Sequence, residues 1–262
     1  MMNNTKATVD PLRSVRRTTL LLRLLSTHTA TGWRLTDLAQ ETALHHSTVH
    51  RLVNCLMEER LAVRIPGSLR YSLGPMAYEL GLAAAPHFEL QEITRSRLTA
   101  LAAQTRDIVF LSVMSGNDSV CIGRWDGRRA LKAYTVDVGT RRALSLSAGG
   151  VAMLIELPAA ARTSIIKSNM DSISRRGEAR VAAVRRMFTR SHLHGYGFNQ
   201  EDIIPGIGAV GVSFGRTRHE PVGALSIAAS LSEMTEARRQ RLVDLLRTEA
   251  ALIGESLARF RY

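Results

Sequence analysis

The sequence predicts an α+β chain in two parts, a small helical unit closed by a hairpin and a longer domain whose sheet is largely antiparallel. Three observations predict it. The 262 residues suit two ordinary domains or one large one. Helical patterns crowd into the first sixty residues, and Pro66-Gly67-Ser68 then separates two short extended runs. After about residue 105 the pattern turns to strands joined by short turns, which antiparallel pairing permits.

Residues 1–12 are polar and aperiodic and read as a disordered arm. Val15, Leu20, Leu21, Leu24 and Leu25 mark a first helix from Ser14 to about Ser26. Thr36 reads as the N-cap of a short helix, Asp37–Thr42, with Asp37 in its first turn. A longer helix follows from His46 to about Glu59. Ala62–Ile65 and Leu69–Leu73 form the hairpin. Pro75 opens a small-residue helix that Pro86 ends, so the domains are expected at 13–75, 76–86 (a linker helix) and 87–262.

In the long domain a helix is expected from Glu89 to about Gln104, with strands at 108–114, 120–125, 130–136, 208–214 and 222–229. Residues 139–149 look like loop. Helices are expected at about 150–156, 159–168 and 178–194, and Thr235 caps a final helix of some twenty-five residues.

Composition narrows the class. Hydrophobic residues at 45% and charged residues at 22% are globular values. No window approaches the ~18 unbroken apolar residues of a membrane span. Leu20–Leu25 is too short for a signal peptide and has no small-x-small site after it, so a cytoplasmic protein is expected. Cys55 and Cys121 are too few for a disulfide framework or a zinc site.

Charge points to a partner. The chain carries 35 basic and 23 acidic residues, a net +12 with pI near 10.8. Thirty-two of the basic residues are arginines, which a codon bias explains, but such a bias does not explain the basic excess. A pI above ~9 is a nucleic-acid footprint. Residues 1–75 hold ten Lys/Arg against five Asp/Glu, so positive charge is denser there than in the remainder.

Within that unit, the helices before and after Leu44 have helix-turn-helix spacing. Val49, Leu52, Val53 and Leu56 form one apolar stripe on the second helix. The opposite face then presents His46, Ser47, Thr48, His50, Arg51 and Asn54, groups able to bond base edges and phosphates in a major groove. Arg64 and Arg70, with Tyr71 beside them, sit where a wing would touch the backbone of double-stranded DNA. A dimer reading two half-sites is expected, because one winged helix buries little DNA surface.

Several motifs lie along the chain in order: Leu-Thr-Asp-Leu-Ala at 35–39, Ser-Thr-Val-His-Arg-Leu at 47–52 and Tyr-Ser-Leu-Gly at 71–74. Further on come Ser-Ala-Gly-Gly-Val-Ala-Met-Leu at 147–154, His-Gly-Tyr-Gly-Phe at 194–198 and Pro-Gly-Ile-Gly-Ala-Val-Gly-Val at 205–212. In this series the chain resembles the IclR (isocitrate lyase regulator) family of bacterial transcription factors. The resemblance implies a winged helix-turn-helix, a linker helix and a C-terminal GAF-like effector-binding domain. It also implies a homodimer or tetramer on a palindromic operator, and a small organic effector. Arg60 stands where the family usually has Gly, Ala143-Leu144 where it has Pro-Leu, and Val151 where it has Lys or Arg.

By the same resemblance the effector pocket comprises Ala148, Gly149, Asn199, Ala209, Ser226 and Ala228. The backbone at Ala148-Gly149 would grip a carboxylate near a helix start. Alanines at 209 and 228 imply an aromatic or branched acid rather than a two-carbon one. Arg124 or Arg129 could add charge, although a surface role is the ordinary expectation for each.

Rival chemistry is weak. Gly206-Ile-Gly208-Ala-Val-Gly211 spells GxGxxG but runs into a strand rather than a helix. Ser164-Ile-Ile-Lys167 lacks partner motifs. The pairs His45/His46 and His192/His194 lack metal-ligand spacing. No catalytic residue, metal or cofactor is expected. The alternative is a small-molecule-binding or catalytic GAF-like protein whose helix-turn-helix is only an interaction module.

Overall fold

A computed structural model describes residues 11–27, 31–84, 90–129, 136–217 and 219–259. The chain divides into two compact units, 1–87 and 88–262.

The first unit is built from α1 (Pro11–Leu25), β1 (Trp33–Arg34), α2 (Leu35–Thr42), α3 (His46–Glu58), β2 (Ala62–Arg64), β3 (Arg70–Leu73) and α4 (Pro75–Ala84). Its core gathers a stripe from each of α1, α2 and α3: Leu21 and Leu25, Leu38, then Val49, Val53 and Leu56, closed by Trp33, Ala62 and Tyr71 from the strands. These are i, i+3/i+4 positions on the helices and inward positions on the strands, so burial selects the pattern. Strand order is β1-β3-β2, antiparallel throughout. The strand β1 was not expected, because two residues carry no periodicity. Most of the expected arm lies outside the described residues, but Pro11 and Leu12 already belong to α1.

Thr36 does not cap α2. The N-cap is Arg34, which offers no side-chain bond, and the Thr36 hydroxyl lies inside the helix, donating to Asp37 Oδ1 at 3.2 Å. Arg60, just after α3, holds the left-handed conformation with φ 57°. That conformation costs an L-residue ~1–2 kcal/mol, which is why glycine suits the position. The Arg60 guanidinium pairs with Glu79 of α4 at 2.6 Å, an exposed pair that returns little of that cost.

The second unit contains α5 (Leu90–Thr105), β4 (Ile108–Ser115), β5 (Asp118–Trp125), β6 (Arg141–Ala143), α6 (Ala148–Glu156), α7 (Ala159–Ile173), α8 (Glu178–His194), β7 (Gly197–Gln200), β8 (Ile207–Thr217), β9 (Glu220–Ser230) and α9 (Glu236–Arg259). Six strands form one antiparallel sheet in the order β6-β5-β4-β9-β8-β7. The strand expected at 130–136 lies, except for Val136, outside the described residues.

Alternation on the strands makes two faces. One face, with Val109, Leu111, Phe198, Val210, Leu225 and Ile227, packs on α5 and on Leu242, Val243, Leu246, Ala250 and Ile253 of α9. The other, with Ile108, Phe110, Cys121, Ala209 and Ala228, meets Ala148 at the start of α6. At the rim, Arg238 of α9 pairs with the buried Asp107 at 2.6 Å. Burial pushes the Asp107 carboxyl above its usual range, and the bond from Arg238 pulls it partly back.

Two features of this unit depart from the sequence reading. Residues 139–149 are not all loop: they hold β6, a 3-10 turn at Leu144–Leu146 and the first turn of α6, which starts at Ala148 rather than Gly150. The strand β7 was also unexpected, since Gly197 weakens any strand signal.

Candidate DNA interface and effector pocket

The surface of α3 follows from its core stripe. With Val49, Val53 and Leu56 buried, His46, Ser47, His50 and Arg51 are exposed, and Thr48 and Asn54 flank them half-buried. Cys55, which the sequence reading left out, is also exposed beside them. His45 caps the helix: the Ser47 N–H donates to its Nδ1 at 3.4 Å, and the Ser47 hydroxyl lies 2.7 Å from the same nitrogen. Ser47 is therefore held against the helix start, with its backbone N–H already used.

The hairpin arranges its basic residues unequally. Arg64 is exposed and its Nε donates to the Ser68 carbonyl at 3.0 Å across the turn. Arg70 is half-buried and donates to the Gly32 carbonyl at 2.9 Å, which ties β3 to the chain before β1. Tyr71 is not on this surface. It is 8% exposed and belongs to the core, because it points inward on the central strand. Of the hairpin residues, Arg64 keeps the freest access to a DNA backbone, and Leu69 stands exposed at the tip.

In the second unit the six expected pocket residues converge on one face. Asn199, Ala209, Ala228 and Ile108 are successive partners across β7, β8, β9 and β4. The neighbouring row is Gly197, Gly211, Ser226 and Phe110. The start of α6 comes down on this second row. A Cβ at Gly197 would lie 1.8 Å from the Ala148 carbonyl oxygen, and one at Gly211 would lie 2.7 Å from the Gly149 nitrogen. The glycines of the GxGxxG string therefore serve the backbone: Gly211 admits the helix, while Gly206 takes a positive φ of 75° with open space around it.

The helix start is equipped to hold a negative charge. Ser147 is the N-cap, and its hydroxyl accepts from the Gly150 N–H at 3.0 Å. The N–H groups of Ala148 and Gly149 have no hydrogen-bond partner among the described residues, and the helix dipole reinforces them. Gly149 faces Ala224 and the Ser226 hydroxyl, each 3.5 Å from where its Cβ would be. Asn199 is buried, and its Oδ1 has no partner. Apolar neighbours on this face are Ile108, Phe110, Ile204 and Ile207, with Val136 alongside.

Arg124 is the residue of this site that sequence reasoning undervalued. It pairs across the sheet with Phe110, so it shares the pocket face. Its side chain is mostly buried, donating to the Val136 carbonyl and to Asp126 Oδ1, both at 2.9 Å. A register shift between Leu111 and Ser112 sets which β5 residues face inward, and no composition signal announces such a shift. Arg129 instead pairs with Glu233 at the surface. Cys121 is buried on the pocket face, and burial pushes its thiol up to about 11. Away from these residues, a cleft of about 320 Å³ opens at Ala152, Tyr196, Phe214 and Arg247, and it includes none of the six.

No helix among the described residues is long and apolar enough to cross a membrane. No group of three or more His, Cys, Asp or Glu side chains among them could hold a metal ion.

Comparison with known proteins identifies the family. The IclR helix-turn-helix domain matches residues 14–66, and the bacterial transcriptional regulator IclR C-terminal domain matches residues 82–254. The chain is 22% identical to the HTH-type transcriptional regulator XynR of Escherichia coli (strain K12), over 94% of this chain and 97% of that one. In fold it is similar to an IclR family transcriptional regulator from Brucella abortus, with a TM-score of 0.74, 16% identity, and 93% and 92% of the two chains covered. It is also similar in fold to an IclR homolog complexed with 4-hydroxybenzoate from Microbacterium hydrocarbonoxydans, with a TM-score of 0.64, 18% identity, and 94% and 100% covered. With an N-terminal helix-turn-helix and a C-terminal effector-binding domain, the chain belongs to the IclR family of bacterial transcriptional regulators.

Proposed function

We propose that this regulator reads a palindromic operator through α3 and answers a small organic acid held at the start of α6. The observation that carries the first half is the exposed face of α3. Arg51, His50, His46 and Ser47 stand exposed on one side of a helix whose other side is sealed in the core. Arg51 contacts a guanine or a phosphate, Ser47, Thr48 and Asn54 approach bases or backbone, and Arg64 holds a phosphate at the wing. Arg70 contributes mainly by fixing the wing. Bacterial DNA places such a protein in the cytoplasm.

The protein works as a homodimer, or as a tetramer of two such dimers. The helix α4 buries none of its residues and exposes Tyr78, Leu80 and Leu82, an apolar surface that a second copy would cover. A chain that sediments as a monomer at micromolar concentration, with and without DNA, contradicts this.

The effector reading rests on the two free N–H groups at Ala148 and Gly149 above an apolar row. They favour an anion, and the row favours a hydrophobic body. The 4-hydroxybenzoate in complex with the Microbacterium hydrocarbonoxydans homolog is such an acid. No residue here is assigned a catalytic role, and no cofactor is proposed. The experiment is a thermal-shift screen of carboxylic acids on the full chain, repeated with promoter DNA. Acids that raise the melting temperature and change DNA affinity support the reading, and Gly149→Leu abolishes both effects while basal DNA binding persists.

A further inference from the structure

We infer that the helical hairpin α7–α8 is a second surface for duplex DNA, one that holds the phosphate backbone without regard to sequence and is separate from the reading face of α3. The inference goes beyond operator reading and does not depend on the effector pocket. It starts from where the charge of the second unit lies. Residues 88–262 carry 25 Lys/Arg against 17 Asp/Glu, a net +8. Residues 159–194 alone carry eight against two, a net +6. A codon bias towards arginine would spread the excess along the chain, yet the rest of the unit nets only +2.

Elsewhere in the unit arginines meet carboxylates. Arg97 meets Glu249 at 2.8 Å, Arg141 meets Asp118 at 3.3 Å and Arg238 meets Asp107 at 2.6 Å. On the hairpin this pairing fails. Lys167 of α7, Arg176 in the turn Ser174–Arg176 and Arg185 of α8 are exposed, with no hydrogen bond or ion pair from their side chains among the described residues. Arg186 is exposed too and reaches Asp202 only at 3.8 Å, a carboxylate that Arg190 already holds. Arg162 and Arg180 donate to the Ile155 and Ile203 carbonyls at 3.2 and 2.9 Å. A carbonyl satisfies such a donor without cancelling its charge, so both add to the positive field of the surface.

The chemistry between these cations fits a phosphate backbone. Thr163, Ser164 and Thr189 are exposed among them, and arginine with small hydroxyls is the donor set that meets phosphate oxygens. A protein partner would need large apolar anchors, and the hairpin exposes a single one, Leu193 at the far end of α8. Arg185 and Arg186 lie two turns into α8, about 11 Å from its start, so they and the turn address separate phosphates of one duplex. DNA held by α3 is tethered to the same chain, and its high effective concentration makes individually weak contacts count.

The test is fluorescence anisotropy of the full chain, over a salt series, on a fragment selected from a random pool and on the same fragment extended by about 40 base pairs, roughly four helical turns. The extension should tighten binding of the unaltered protein about tenfold at low salt and steepen the slope of log affinity against log salt by about two to three, near one per added phosphate contact. Lys167→Gln, Arg176→Gln and Arg185→Gln together should abolish that gain and leave affinity for the short fragment unchanged. Arg95→Gln, Arg241→Gln and Arg247→Gln together remove the same charge elsewhere in the unit and should keep the gain. Thermal unfolding verifies that both variants fold. No gain from the extension in the unaltered protein overturns the inference, as does a gain that survives in the first variant or disappears equally in the second. Polyglutamate that removes the gain where random duplex at equal charge does not would assign the surface to an acidic protein, and overturns it as well.

Discussion

The two units present their candidate sites in opposite ways. In the first, chemistry sits on exposed side chains that a core stripe turns outward: Arg51, His50 and Ser47 over Val49, Val53 and Leu56. In the second, chemistry sits on buried backbone and on what is missing from side chains: the N–H groups of Ala148 and Gly149, and the absent Cβ atoms of Gly197 and Gly211. DNA remains outside the protein and is met by charge and hydrogen-bond donors at a surface. A small acid must leave water, so it needs a dry wall and prepaid donors. Substitutions should accordingly harm binding in the first unit and folding in the second.

The largest expected effect is at Gly197. Its Cβ position lies 1.8 Å from a backbone oxygen of α6, which cannot move as a side-chain tip would. Gly197→Val should cost ~3 kcal/mol or more, read from the denaturant midpoint of the full chain. Gly149→Ala is the control, because its Cβ meets its neighbours at an ordinary 3.5 Å, and its cost should stay within about 1 kcal/mol. Equal effects from the two would erase the contrast.

The cysteines sharpen the same comparison. Cys121 is buried with its thiol pushed up to about 11, so at pH 8 only ~0.1% is thiolate even before access is considered. Cys55 is exposed on the α3 face. A maleimide should modify Cys55 on the order of a hundredfold faster, counted by mass spectrometry of digested protein. Bound operator should slow the Cys55 reaction and leave Cys121 unchanged.

Smaller again, Arg51→Ala should lose ~1–3 kcal/mol of DNA affinity with no shift in melting temperature. Smallest is Arg60→Gly. Relief of the left-handed strain outweighs loss of the exposed pair with Glu79, so stability should rise by ~1 kcal/mol. A fall in stability would mean that the pair, not the backbone, decides.

How much was legible in the sequence follows from the same contrast. The stripe of α3 declared its own outer face, since a 3.6-residue period is local information. The hairpin was legible from Pro66-Gly67-Ser68, but the inward turn of Tyr71 was not, because strand facing depends on partners. The α6 start was misplaced by two residues, since Gly149-Gly150 has poor helix propensity and that first turn is held by packing against β7 and β8. Short strands such as β1, β6 and β7 left no period to read. The burial of Arg124 depends on a register shift in β4–β5 that only the folded sheet shows. The pocket residues themselves came from resemblance, because alanines and glycines look alike whether they pack or bind.

DNA reading by the exposed face of α3 is the proposal on which the rest depends. The most direct measurement is fluorescence anisotropy of the full chain on a fragment selected from a random pool, across a salt series, for the unaltered protein, Arg51→Ala and Arg64→Ala. Log affinity should fall linearly with log salt. Arg64→Ala should flatten that slope by about one contact and keep sequence preference, while Arg51→Ala should relax the preference for the selected sequence over random DNA. Unchanged affinity, slope and preference in a folded Arg51→Ala would contradict it.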